Sequence, residues 1–292
     1  MSARTLWRYE FEQVQKMDMK LLSLKEIQSV SLEILRDVHD FCDKNNIKYT
    51  LQGGTLLGAI RHKGFIPWDD DLDIAMPRPD YDRFIKTYKS PHGFKVFSRE
   101  QQNGGNVYIA YARVCDMDRT FVDTATVPWN DCPTGLWIDV FPLDGAEDDR
   151  NSVVKRIRKM NFYWLASCYL RRSKAGFSNE TSFAGKLKLW IIKMFAFFLK
   201  ENIIDTHIGM CKQCDYRDAG KYCNFSLIEY GIREYHSKSV LEKVISVPFE
   251  NHHFYIMEGY DEALKEKYGE YMRLPPVEER VQKHGYNTVY WK

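Results

Sequence analysis

The sequence predicts an α/β chain of the α+β kind, with a mixed sheet and flanking helices over residues 1–150 and a mostly helical part over 151–292. Three observations carry this. An acidic run, Asp69 to Asp73, leads into a segment that alternates at strand period. The turn Gly53-Gly54-Thr55 separates an extended segment from a short helical one. After Asp149 the pattern changes to long stretches of aromatic, Lys and Arg residues at helical spacing.

The elements follow in order. Leu21 to Asn46 places Leu24, Ile27, Ile34, Leu35, Val38, Phe41 and Cys42 near helical spacing, and Asn45-Asn46 ends it. Ile47 to Leu51 is extended. Thr55 to Arg61 is a short helix with Thr55 as its expected cap. Asp71 to Met76 is a strand stopped by Pro77 and Pro79, and Tyr81 to Lys89 is helical. Phe94 to Ser98, Val107 to Val114 and Leu136 to Phe141 read as further strands. Val153 to Arg172, Phe183 to Lys200, Ile203 to Tyr216 and Tyr260 to Tyr268 read as helices, and the tail is expected to fold back on the first part.

Composition narrows the function classes. Hydrophobic residues make up 44% of the 292 and charged residues 28%, which is a globular balance. With 42 basic and 40 acidic residues the net charge is +2, so nothing favours general nucleic-acid binding. The seven cysteines are an odd number, and residues 1–20 lack an apolar run with a cleavage site. A cytoplasmic protein with free thiols is expected. The most apolar stretch, Leu187 to Leu199, is too short to span a bilayer and carries Lys188 and Lys193.

The segment Trp68-Asp69-Asp70-Asp71-Leu72-Asp73-Ile74 carries the most chemistry. In an extended strand, Asp69, Asp71 and Asp73 share one face, Leu72 and Ile74 point into a core, and Asp70 sits away from the trio. If Asp69 lies in the preceding loop, Asp71 and Asp73 are the secure pair. Carboxylates so close repel unless a cation neutralises them. Hard oxygen ligands suit Mg²⁺ or Mn²⁺, which complete their shells with water and substrate phosphates. An acidic run is more often a solvated loop, but apolar Trp68, Leu72, Ile74 and Met76 on the flanks favour a buried strand.

Gly53, Gly54 and Thr55 let a backbone approach a phosphate closely and open a helix whose free N–H groups attract an anion. Such turns are common, and this one gains weight from its nearness to the acidic strand. Arg61 and Lys63, between the two, are either phosphate contacts or ordinary surface residues, and His62 reads as structural.

The stretch from Gly53 to Phe84, GGTLLGAIRHKGFIPWDDDLDIAMPRPDYDRF, resembles the core motif of the LicD family of phosphorylcholine transferases. It is similar there to the fukutin-related ribitol-phosphate transferases, and both groups have a nucleotidyltransferase fold. The resemblance continues in Gly135 to Asp144 and returns in Tyr268 to Arg280 and His284. It implies a nucleotidyltransferase-like catalytic core over residues 1–150. It also implies Mg²⁺ (or Mn²⁺) held by Asp71 and Asp73 with help from Asp69, a CDP-alcohol donor and a phosphodiester product on a glycan or lipid-linked glycan. That fold adds a third acid from a neighbouring strand. Asp139, in Trp137-Ile138-Asp139-Val140-Phe141, is the match, either as base toward the acceptor hydroxyl or as a further ligand. Its bland alternative is a buried salt bridge. Arg61, Lys63 and Arg78 are candidate phosphate contacts, and Arg280 and His284 close over the site if the tail returns.

Two enzymatic readings share this machinery: transfer of the phospho-alcohol, or transfer of a nucleoside monophosphate. A third is a non-catalytic glycan-binding relative, which would not need such a charge cluster. Trp129, Trp137 and Tyr111 are candidates for a choline-binding box, but aromatics are too frequent here (14%) to be informative. His207, Cys211, Cys214 and Cys223 include one zinc-type Cys-x-x-Cys pair, yet the first three also fall on one helical face, as a buried stripe does. Phe162 to Arg172 and Leu187 to Lys200 combine apolar and basic residues. They read either as core helices with a charged outer face or as peripheral contacts with the inner face of the cell membrane.

Overall fold

The computed structural model describes residues 19–101, 107, 109–122, 135–171, 187, 190–192, 194, 195, 197, 198, 202–227, 229–281 and 289–292. It is a mixed α/β fold built on a sheet ordered β1-β2-β6-β4-β3. The strands are β1 (Thr50–Leu51), β2 (Asp73–Pro77), β3 (Lys95–Phe97), β4 (Ala112–Asp116) and β6 (Leu136–Ala146). β2 and β6 run parallel, and the other pairs along this path are antiparallel. β6 is buried along nearly its whole length, with Ile138, Val140, Phe141 and Leu143 in the core. That explains why it reads as an apolar run with one acid in it.

Helix α1 (Leu24–Lys44) packs across β6 and β4 through Ile27, Ile34, Leu35 and Val38. Its start is fixed by a capping box in which the Ser23 hydroxyl accepts the Glu26 N–H and the Glu26 carboxylate accepts the Ser23 N–H. Helix α2 (Gly53–Arg61) follows β1 directly. Helix α3 (Arg78–Thr87) follows β2 with Pro79 in its first turn, where the missing N–H costs nothing.

The part after Asp149 holds more strand than its composition suggests. Helices α4 (Arg150–Arg171) and α5 (Asn202–Cys211) pack together. β7 (Lys221–Cys223) then pairs with the C-terminal end of β6, and β8 (Tyr235–Ser237) pairs with β7. A hairpin of β9 (Val244–Phe249) and β10 (His252–Met257) packs on β1, where Met257 N donates to Thr50 Oγ1 at 2.8 Å. Helix α6 (Tyr260–Tyr268) follows. The final strand β11 (Val289–Trp291) pairs with β5 (Thr120–Val122), so the chain end returns to the first part. No described helix is long and apolar enough to cross a membrane.

Candidate metal and phosphate site

The site forms where β1 turns into α2 and where β2 begins beside β6. The parallel register sets Asp73 directly beside Asp139, on the same side of neighbouring strands. Asp139 N donates to Leu72 O at 3.0 Å, which ties the acidic loop to β6. Thr55 does not cap α2. Gln52 holds the N-cap position, and the Thr55 hydroxyl instead accepts the Asp73 N–H at 2.8 Å. The glycine turn is thereby fastened to the acid it serves.

Both glycines lie against the carboxylates. Gly53 has φ +58°, and a Cβ there would lie 3.1 Å from Asp73 Oδ2 and 3.7 Å from Lys267 Nζ. A Cβ on Gly54 would lie 2.7 Å from Asp69 Oδ2. The first turn of α2 therefore sits beside the carboxylates of Asp69 and Asp73.

Asp69, Asp70 and Asp71 bring one carboxylate oxygen each within 4.8 Å of one another, and this is the one such group of three among the described residues. Asp70, expected to point away, thus joins the group. The strand begins only at Asp73, so alternation does not govern residues 69–72. The Asp71 carboxyl is held well above the usual carboxylate range, first by burial, then by the charges of Asp73 and Asp69, the hydrogen bond with Asp69 and the charge of Asp139. An all-carboxylate group whose member clings to a proton in this way fits a hard divalent cation, which would take the proton's place.

Asp139 forms the salt bridge that is its bland alternative, and it does so at the edge of the acidic group. It lies beside Asp73, and Arg113 Nε on β4 donates to its Oδ1 at 2.7 Å. The Arg113 guanidinium stands 4.0 Å from the Trp137 ring centroid and 5.8 Å from that of Tyr111. Two of the three candidate choline-box rings are therefore engaged by an arginine, and Trp129 lies outside the described residues.

The basic candidates separate. Arg61 Nη1 donates to Tyr271 O at 2.9 Å and Arg273 O at 3.3 Å, which holds the Tyr268–Arg280 stretch against the end of α2. Arg280 lies 5.8 Å from the Trp68 ring centroid, and the His62 ring meets the same indole edge-on at 6.3 Å. His62 and Arg280 thus meet at Trp68, the chain neighbour of Asp69, and Arg61 lies close enough to Arg280 to feel its charge. Lys63 is an exposed turn residue whose carbonyl accepts the Glu250 N–H. Arg78 sits at the far end of β2 in a buried pair with Asp144, Nε to Oδ1 at 2.7 Å and Nη2 to Oδ2 at 2.9 Å. His284 lies outside the described residues.

Sequence reading missed a buried polar group behind the glycine turn. Lys267 on α6 pairs with Glu234, whose other oxygen accepts from Gln52 Nε2 at 2.7 Å. Lys267 Nζ also lies 3.8 Å from the Tyr230 ring centroid. Burial, followed by Tyr230, Glu234 and Asp73, holds the neighbouring Tyr268 hydroxyl protonated well above its usual range.

The Cys-x-x-Cys region is core. Cys211 and Cys223 are buried, and burial raises the pKa of both thiols. Cys214 Sγ accepts from Arg156 Nη1 at 3.6 Å, and His207 Nε2 lies 3.3 Å from Phe225 O. Thiols kept protonated beside a guanidinium suit packing better than zinc.

The mixed sheet thus carries a glycine-led helix and an acidic group at the junction of two parallel strands. Residues 46–162 match the family model described as "LicD/FKTN/FKRP, nucleotidyltransferase domain". The chain is 32% identical over 273 residues to the lipopolysaccharide cholinephosphotransferase LicD of Haemophilus influenzae, covering 91% of this chain and 97% of that protein. Shorter matches include an uncharacterised Rickettsia typhi protein, 44% identical over 75 residues, which are 25% of this chain and 24% of that one. Another is the human ribitol 5-phosphate transferase FKRP, 43% identical over 44 residues, 15% of this chain and 9% of that one. The chain belongs to the LicD family and is a transferase.

Proposed function

We propose that this protein transfers a phospho-alcohol group of the phosphocholine type from a CDP-alcohol to a sugar hydroxyl of a cell-surface glycan, free or lipid-linked, in the cytoplasm. The observation that carries the reading is the group of Asp69, Asp70 and Asp71 carboxylates, with Asp73 and Asp139 close enough to act on Asp71, beside the N-terminus of α2. The near full-length similarity to a cholinephosphotransferase supports the choice of transferred group. Asp71 and Asp73, with Asp69 and Asp139, would hold Mg²⁺ or Mn²⁺, which would neutralise phosphate charge and align donor and acceptor.

The chain's own groups do the rest. The N–H groups at Gly54 and Thr55 receive a phosphate oxygen, and the Thr55 hydroxyl keeps Asp73 in register with them. Arg113 fixes the Asp139 carboxylate beside Asp73, oriented either to complete the ligand set or to accept the proton of the attacking hydroxyl. Arg280, at Trp68, and Arg61, beside it, form the basic rim that faces the donor's charge.

The test is a transfer assay with CDP-choline, Mg²⁺ and a lipopolysaccharide acceptor, with the product weighed by mass spectrometry. The expected adduct is phosphocholine. Asp73→Asn should lower the rate by at least about a hundred-fold, since even outer-shell partners of a metal are worth up to that. A nucleoside monophosphate adduct would favour the second reading, which the family model's own description as a nucleotidyltransferase domain keeps in view. Undiminished transfer by Asp73→Asn would overturn both.

A further inference from the structure

The helical stretch containing residues 187, 190–192, 194, 195, 197 and 198 is apolar on two sides. Its inner side packs against α4 and α5, with Ile192 in a core cluster with Ala166 and Ile203, and with the Phe195 and Phe162 ring centroids 4.5 Å apart. Its outer side presents Leu187, Trp190, Ile191, Met194, Phe197 and Phe198, from 37% to 72% exposed. These six fall three or four residues apart along the chain, or next to a residue that does, as one helical stripe requires. A contiguous exposed stripe of this kind marks an interaction surface.

Charge identifies the occupant. From residue 181 to 200 the sequence carries Lys186, Lys188, Lys193 and Lys200 and no acidic residue. The adjoining helix α4 exposes Lys155, Arg158 and Lys159. Glu180 and Glu201 flank the stretch, but the excess of cations along it and along α4 still makes its large apolar side chains complementary to an anionic bilayer surface. There an apolar stripe of this kind enters the acyl boundary. A second copy is a poorer partner, because two surfaces of net positive charge would meet and protein interfaces are depleted in lysine. Residues 1–18 are no better, since Arg4, Arg8 and Lys16 are balanced by Glu10, Glu12 and Asp18.

We propose that this stripe docks the protein on an anionic lipid surface, lying on it without crossing. The surface is distinct from the acidic site and needs neither donor nor acceptor, so its test is independent of the proposed reaction.

The experiment is flotation of the full chain with vesicles of phosphatidylcholine alone or of equal parts phosphatidylcholine and phosphatidylglycerol. The chain should float with the anionic vesicles, at least about ten-fold less with the neutral ones, and less as salt rises. Each lysine near an anionic surface is worth about five-fold in partition. The variant Trp190→Ser, Phe197→Ser, Phe198→Ser should keep the wild-type Tm and lose flotation. Lys188→Glu with Lys193→Glu should keep the apolar stripe and lose the preference for anionic lipid. Absence of flotation by the wild type, or flotation undiminished in the triple variant, would overturn the proposal. So would a wild-type dimer, seen by sedimentation, that the triple variant converts to monomer without any vesicle binding.

Discussion

Gly53 and Gly54 meet the same group of carboxylates for different reasons. Gly53 holds a left-handed backbone, φ +58°, that other residues adopt only with strain. Gly54 has no such need and is small because Asp69 Oδ2 lies 2.7 Å from where its Cβ would be. Gly54→Ala should therefore keep stability within about 1 kcal/mol of wild type, since alanine favours the helix. It should also push Asp69 aside and lower the transfer rate at least about ten-fold, by analogy with disturbed metal shells. Paired Tm and rate measurements check this, and an unchanged rate would remove Asp69 from the site. At this scale the sequence separates residues unevenly. Asp73 and Asp139 are legible because a charge among β-formers is costly without a purpose. Arg113 is not among the residues the sequence singles out, although a lone cation among the β-formers of Val107 to Val114 is the same kind of signal. Lys267 is not legible. Helix α6 carries Lys265 and Lys267 in one short run, yet Lys265 pairs with Asp261 in solvent while Lys267 is buried on Glu234. Only the fold tells them apart.

At the scale of elements, long periodic segments are well read and short ones are not. Helix α6 falls on the expected residues, and α1 differs by a few at each end. β7 and β8 have three residues each, too few for a period to show, and β6 runs five residues past its expected end because Pro142 and Gly145 sit inside it. The acidic strand starts at Asp73 rather than Asp71, which is why Asp70 was misplaced. The start of α1 offers a test of its own. The Lys20 ammonium first, then the Ser23 N–H and hydroxyl and the Trp291 indole, lower the Glu26 pKa from 4.5 to about 2. The folded value lies below the unfolded one, so the contribution to stability is present above 4.5 and is lost as pH falls toward about 2. Glu26→Gln should be less stable than wild type at neutral pH and converge on it across that acid range, measured by urea unfolding at a series of pH values. A gap that stays constant would contradict the assignment.

Across the whole molecule, one core joins residues from Leu22 to Val289 and brings the site's parts together from distant stretches of chain. Asp69 to Asp73 reach Asp139 only because β2 and β6 are parallel neighbours, and parallel pairing cannot be read from either strand alone. Glu234 and Lys267, from the second part, brace the turn at Gly53 from behind. The aromatic, basic helices of that part read from composition either as core or as membrane contacts, and the structure gives them both a buried side and an exposed apolar stripe. The central claim is that this assembled acidic group holds a divalent metal. Titration of the protein with Mn²⁺, followed by the loss of the free ion's paramagnetic resonance signal, tests it most directly in wild type and Asp73→Asn. The account predicts wild-type binding that strengthens as pH rises, because the metal competes with the proton that burial and its neighbours keep on Asp71. It predicts binding at least about ten-fold weaker in the variant. Equal Mn²⁺ binding by the two proteins would contradict it.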